Sequence, residues 1–178
     1  MSAEADPTES ELCLACGMCC DNTLFGRVIS SAEEAPQLRA LGIQVIEYDD
    51  GEFSFNQRCP RLRGFKCEVY QSRPHTCQSY VCETINALRD GTITGQQAQS
   101  RITQTLAAKR DLALAIGDER DPQEDQAEAR ARVTEALGKG KRGHQLPGFA
   151  PQAMALERLL DRWFREDSYK TMTGYDDI

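Results

Sequence analysis

The chain has 178 residues, 40 % hydrophobic and 28 % charged, with a formal net charge of −7. That suits one modest core, and the acidic balance argues against general binding to nucleic acid or to an anionic membrane. No stretch approaches 18 consecutive apolar residues, so no membrane-spanning helix is expected. The acidic start Met1-Ser-Ala-Glu-Ala-Asp-Pro7 lacks the apolar run of a signal peptide, and the expected compartment is the cytoplasm.

Residues 1–10 read as a disordered acidic lead, and residues 11–22 carry a dense run of cysteines. Gly26-Arg-Val-Ile29 reads as a short strand. Ser30 or Ser31 is expected to cap a helix with Glu33 and Glu34 in its first turn, ended near Leu41 by Gly42. Residues 43–48 and 52–55 read as two strands joined by the turn Asp49-Asp50-Gly51. Residues 56–82 show little periodicity and hold the remaining cysteines, the pattern of a loop region organised by metal. A short helix follows from Thr84 and ends at Asp90-Gly91.

From Gln96 to Ile116 the pattern is helical, with Ala98, Ile102, Leu106, Ala113 and Ile116 approximating one face and Gly117 as its stop. Asp121-Pro122 restarts a helix running to about Leu137, weakly apolar and therefore expected at the surface. Gly138-Lys-Gly-Lys-Arg-Gly-His144 reads as a solvated basic linker. Pro151 opens the last helix. Its stripe of Leu156, Leu159, Leu160, Trp163 and Phe164 is expected to pack on the protein's own core, with a partner's groove as the alternative. The expected fold is α+β and mostly helical: a loop-rich half with a short hairpin, then three longer helices. The expected divisions are a lead (1–10), a cysteine-cluster domain (11–93), a helical extension packed on it (94–166) and a polar tail (167–178).

The cysteines carry the chemistry. All eight lie between Cys13 and Cys82. A reducing compartment disfavours structural disulfides, which leaves metal binding or redox chemistry. The first group is Cys13-x-x-Cys16-x-x-Cys19-Cys20. The second is Cys59-Pro60-Arg61-Leu62, then Cys67, Tyr70, Arg73-Pro74, Cys77 and Cys82. Thiolates at these spacings match two four-thiolate sites, and the vicinal pair Cys19 and Cys20 can serve two neighbouring centres. The expected ligands are therefore Cys13, Cys16, Cys19, Cys20, Cys59, Cys67, Cys77 and Cys82.

At these residues the chain resembles the bacterial and archaeal CxxCxxCC, or YkgJ-like, cysteine-cluster family. The resemblance covers roughly residues 12 to 90 and implies chelation of zinc or iron by the cysteines. The helical half beyond it carries no recognised motif.

Two cofactors remain open. Cys13-Leu-Ala-Cys16-Gly-Met-Cys19 resembles the C-x2-C-x2-C run of bacterial ferredoxins, and Cys59-Pro60 offers their Cys-Pro ligand, although 40 residues downstream rather than four. This favours an iron–sulfur cluster, for example [4Fe–4S]. The alternative is Zn²⁺, which suits four thiolates in a tetrahedron. Either centre carries a net charge of about −2. Arg58, Arg61, Arg63, Lys66 and Arg73 surround the second group and can offset it. Arg73, if buried, would tie the two cysteine groups together. Tyr70 is expected beside the ligands rather than as a catalytic acid, and His75 at the surface.

No Walker loop, no GxSxG, no HExxH and no dinucleotide fingerprint is present, so no catalytic residue is assigned. Three functions follow: a metalloprotein whose iron–sulfur centre serves electron transfer, redox sensing or structure; a zinc-stapled interaction module with a protein partner on its C-terminal helices; or a subunit of a metal-dependent modifying enzyme. Neither a membrane nor a nucleic acid is an expected partner.

Overall fold

The computed structural model describes residues 6–117, 126, 129–131, 133–135 and 148–170. The fold is α+β and mostly helical, with small antiparallel sheets. It forms two compact units, one Thr8–Val81 and the other the described residues from Cys82 onward with Asp6 and Pro7. Among the described residues no helix is long and apolar enough to cross a membrane.

The Thr8–Val81 unit opens with α1, Glu9–Cys16, which begins within the residues read as a lead. A capping box sets its start. The Thr8 N–H donates to the Glu11 carboxylate at 2.7 Å, and the Glu11 N–H donates to the Thr8 hydroxyl at 3.3 Å. Gly17 ends the helix in the left-handed conformation, at φ 67°. Strands β1 (Arg27–Ser30), β2 (Val45–Glu47) and β3 (Phe53–Asn56) form an antiparallel sheet in the order β1-β3-β2. The register sets Val28 and Val45 on either side of Phe55. That row faces Leu38 and Ile43, the centre of a small core, whereas Ile29 in the alternate row is exposed.

The helix expected from Ser30 or Ser31 starts later. Ser30 is used as the last residue of β1, paired with Phe53, and a turn follows before α2, Ala35–Ala40. The Asp49-Asp50-Gly51 turn joins β2 to β3 as expected, with the Gly51 N–H donating to the Tyr48 carbonyl at 2.9 Å. The stretch expected as loop carries short elements too brief to show a period: a hairpin of β4 (Leu62–Arg63) and β5 (Lys66–Cys67), a 3₁₀ turn Tyr70–Ser72, and α3, His75–Ser79.

The other unit holds α4 (Glu83–Arg89), α5 (Gly95–Ile116) and α6 (Ala150–Trp163), with α5 packed on α4 and α6. A second capping box, Thr94 with Gln97, starts α5. The buried stripe of α5 runs Ala98, Ile102, Thr105, Lys109 and Leu112. Leu106, Ala113 and Ile116, expected on that face, are only half-buried. Polar members broke the apolar pattern; the Thr105 hydroxyl is satisfied by the Arg101 carbonyl at 2.8 Å. On α6, Leu156 and Leu160 are buried, with Phe164 just beyond, and Leu159 and Trp163 are half-buried.

Residues 126, 129–131 and 133–135 are helical, and Gln126, Ala129, Arg130 and Val133 are buried rather than at the expected surface. The reason is ionic. The Glu157 carboxylate accepts from the guanidiniums of Arg130 and Arg165, the latter at 2.5 Å, and Arg165 also donates to Asp161 at 2.7 Å. The expected start at Asp121-Pro122, the end near Leu137, the linker 138–144 and the tail beyond 170 lie outside the described residues.

Burial alone would raise the Glu157 carboxyl, but the two guanidiniums outweigh it and hold it below the usual carboxylate range. A depressed carboxylate contributes stability above its unfolded pKa and loses it as the pH falls through the folded one. The helical unit should therefore melt at lower temperature as the pH drops from 7 toward about 3. Glu157→Ala, which leaves two guanidiniums buried, should cost about 3 kcal/mol at neutral pH and flatten that pH dependence. Thermal melts followed by circular dichroism read both effects.

Gly17 gives a second test. A Cβ there would lie 2.8 Å from the Phe65 carbonyl oxygen, whereas one at Gly42, also left-handed, meets nothing within 4 Å. Gly42→Ala should cost about 1 kcal/mol from the backbone alone. Gly17→Ala should cost about 3 kcal/mol, since the β4–β5 turn must also move. Equal costs in urea unfolding would contradict this packing.

Candidate metal centre

Cys13 and Cys16 lie three residues apart on α1 and so share one helix face. Cys19 and Cys20 follow in the turn after Gly17, anchored by the buried Met18, Asp21 and Leu24. Two bonds hold this turn to the segment before the hairpin. The Gln57 side chain donates to the Cys19 carbonyl at 3.0 Å, and the Cys59 N–H donates to the Cys20 carbonyl at 2.9 Å. The Cys59 carbonyl accepts from the Leu62 N–H at 3.1 Å, and Leu62 pairs with Cys67 across β4–β5. Cys77 sits in α3, whose first turn is clamped by Glu34. The Thr76 N–H and hydroxyl donate to that carboxylate at 2.9 and 2.6 Å. Cys59 and Cys77 both rest on the Leu38, Ile43 and Phe55 core.

These positions bring Cys20, Cys59, Cys67 and Cys77 into one electrostatic neighbourhood. Burial, followed by the neighbouring Cys59, Cys67 and Cys77, pushes the Cys20 thiol up to about 12. Burial, Cys59 and Cys67 push Cys77 up to about 11, against the opposing pull of Arg73. Burial also raises Cys59, eased by the Arg61 N–H and, less strongly, its guanidinium. Such thiols hold their protons until a cation displaces them. Arg61 is fixed beside them by its Nε bond to the Leu41 carbonyl at 2.7 Å.

Tyr70 and Arg73 reach between the groups. The Arg73 guanidinium stacks 3.8 Å from the Tyr70 ring centroid, and its Nε donates to the Tyr70 carbonyl at 2.9 Å. The Tyr70 hydroxyl bonds to Cys13 and Ser10, while Arg73 acts on Cys77. Arg73 is half-buried rather than buried. His75 is exposed, as expected, and so are Arg58, Arg63 and Lys66. Tyr80 packs edge-on against Phe25, with ring centroids 4.5 Å apart. Cys82 stands apart in the chain's division: it is the N-cap of α4 and belongs to the helical unit. Gln57 and the Glu34–Thr76 clamp were not anticipated. Their partners lie 38 and 42 residues away in sequence, and no local pattern signals them.

None of the eight cysteines forms a disulfide. Among the described residues no three His, Cys, Asp or Glu side chains stand together as a finished coordination shell. The donor chemistry nevertheless fits a thiophilic metal: several half-buried thiols gathered from separate segments, with guanidiniums beside them to offset charge.

Fold and site define a cysteine-cluster metal-binding protein. The chain belongs to the CxxCxxCC family, whose model, described as "putative zinc- or iron-chelating domain", matches residues 12–105. No curated protein and no solved structure gives a match.

Arg73 should matter to metal retention. Arg73→Gln removes the charge and the stack on Tyr70, and should weaken metal binding about tenfold without changing its stoichiometry. Competition with a chromophoric chelator measures this; unchanged affinity would contradict a role for the guanidinium.

Proposed function

We propose that the protein holds metal through its cysteine thiolates, as an iron–sulfur cluster, with a role in electron transfer, redox sensing or structure. The observation that carries the metal reading is the mutual proximity of four reduced thiols from separate segments: Cys59 and Cys77 pack on one apolar core, Cys20 is tied to Cys59 by a backbone bond, and Cys67 acts on all three. The iron–sulfur form is supported by the run Cys13-x-x-Cys16-Gly17-x-Cys19, with its first two thiols on one face of α1 and its glycine making the left-handed turn toward the third. When bound, such a cluster supplies one-electron redox chemistry, and the thiolates hold it. Gln57 and Gly17 fix the turn that presents Cys19, and Arg61 and Arg73 offset the negative charge.

Zn²⁺ is the second reading, favoured by the all-sulfur donor set drawn from separate segments, the composition of closed structural zinc sites. In both cases the metal joins segments that their small core joins weakly, so its loss should unfold Thr8–Val81. A protein partner on the C-terminal helices remains part of this zinc reading.

Anaerobic purification followed by a visible spectrum and analysis for iron, acid-labile sulfide and zinc tests the proposal. A coloured protein with matching iron and sulfide supports the cluster. A colourless protein with stoichiometric zinc supports the second reading, and a protein carrying neither metal contradicts both. Cys16→Ala should lower both the metal content and the melting temperature of the cysteine unit; a variant that keeps both would remove Cys16 from the ligands.

A further inference from the structure

Seven of the thiols fall into two groups whose boundary runs between the adjacent Cys19 and Cys20. Cys20 is tied to Cys59 by a backbone bond of 2.9 Å, Cys59 to the hairpin through Leu62, and Cys67 stands opposite that same Leu62. Cys77 reaches the set from α3 by packing on the core that also carries Cys59. These ties are backbone bonds and apolar packing, so the fold itself places the four in one neighbourhood, near enough to act on one another. Cys13, one helical turn from Cys16 on α1, bonds instead to the Tyr70 hydroxyl. Cys19, although adjacent to Cys20, has its carbonyl held by the Gln57 side chain rather than by Cys59. Arg61 beside Cys59 and Arg73 beside Cys77 supply two cations, which match the charge of about −2 on a metal with four thiolates.

We infer that Cys20, Cys59, Cys67 and Cys77 form one four-thiolate site for a thiophilic metal such as zinc or iron, and that Cys19 belongs to a different site with Cys13 and Cys16. The vicinal pair is thus divided between two centres, and the turn after Gly17 stitches α1 to the hairpin. The inference rests on the proposal that the cysteines bind metal.

Differential alkylation of the unmutated, reduced, metal-stripped chain tests it without any variant. Zn²⁺ alone is added to half-saturation, accessible thiols are alkylated, and intact molecules are fragmented in a mass spectrometer. In every molecule that keeps Cys20 unmodified, Cys59, Cys67 and Cys77 should be unmodified too, while Cys19 varies independently. Molecules that protect Cys20 together with Cys16 and Cys19, but not Cys59, would overturn the grouping and leave metal binding intact. No protection of any thiol at saturating Zn²⁺ would overturn both. Saturating metal content gives a second reading. Cys20→Ser/Cys67→Ser should lose the same single equivalent as either change alone, whereas Cys19→Ser/Cys20→Ser should lose two. The opposite pattern would overturn the division of the pair.

Discussion

Thiols that are half-buried against a very small apolar core are the constraint on which the Thr8–Val81 unit depends. Leu38, Ile43 and Phe55 form that core, and Cys59 and Cys77 pack on its edge. Leu12, Met18, Leu24, Ala35 and Leu62 are buried elsewhere in the same unit, whose elements are short: four-residue strands, two-residue strands and a five-residue helix. A thiolate-bound metal, as proposed, adds cohesion by joining these short segments directly to one another.

Charge follows from the same arrangement. Burial first, and then repulsion from the neighbouring cysteines, makes Cys20 and Cys77 keep their protons to high pH in the folded chain. Arg61 stands beside Cys59 and Arg73 beside Cys77, where they oppose it. Each is fixed by a backbone carbonyl, Leu41 and Tyr70 respectively, so the cations do not depend on mobile surface pairs. The helical unit is held differently. Its apolar stripe on α6 and the buried Arg130–Glu157–Arg165–Asp161 network need no metal, and its stability is sensitive to acid instead.

The sequence made the β2–β3 hairpin legible because Asp50-Gly51 is a turn signal with short β-branched and aromatic runs on either side. It made α5 and α6 legible because both are long, α5 ends at a left-handed glycine, and α6 opens beside Pro151 and carries a periodic apolar stripe. The later start of α2 was not legible, since Ser30 serves equally well as a strand end or a cap and only pairing with Phe53 decides. Helix α1 was hidden by its cysteines, which give no apolar period, although Thr8-x-x-Glu11 carried the capping signal. The burial around Arg130 was missed because an Ala/Glu/Arg-rich pattern resembles a solvated face. In the site, the cysteine spacing named the candidate ligands. Their mutual arrangement depended on long-range bonds such as Cys59 to Cys20, for which no local pattern exists.

X-ray absorption at the metal edge of the purified, metal-containing full-length protein tests the thiolate claim most directly. All-sulfur coordination is predicted, with metal–sulfur distances of about 2.3 Å. A first shell dominated by nitrogen or oxygen at about 2.0–2.1 Å would contradict it, because the cysteines would then not be what holds the metal.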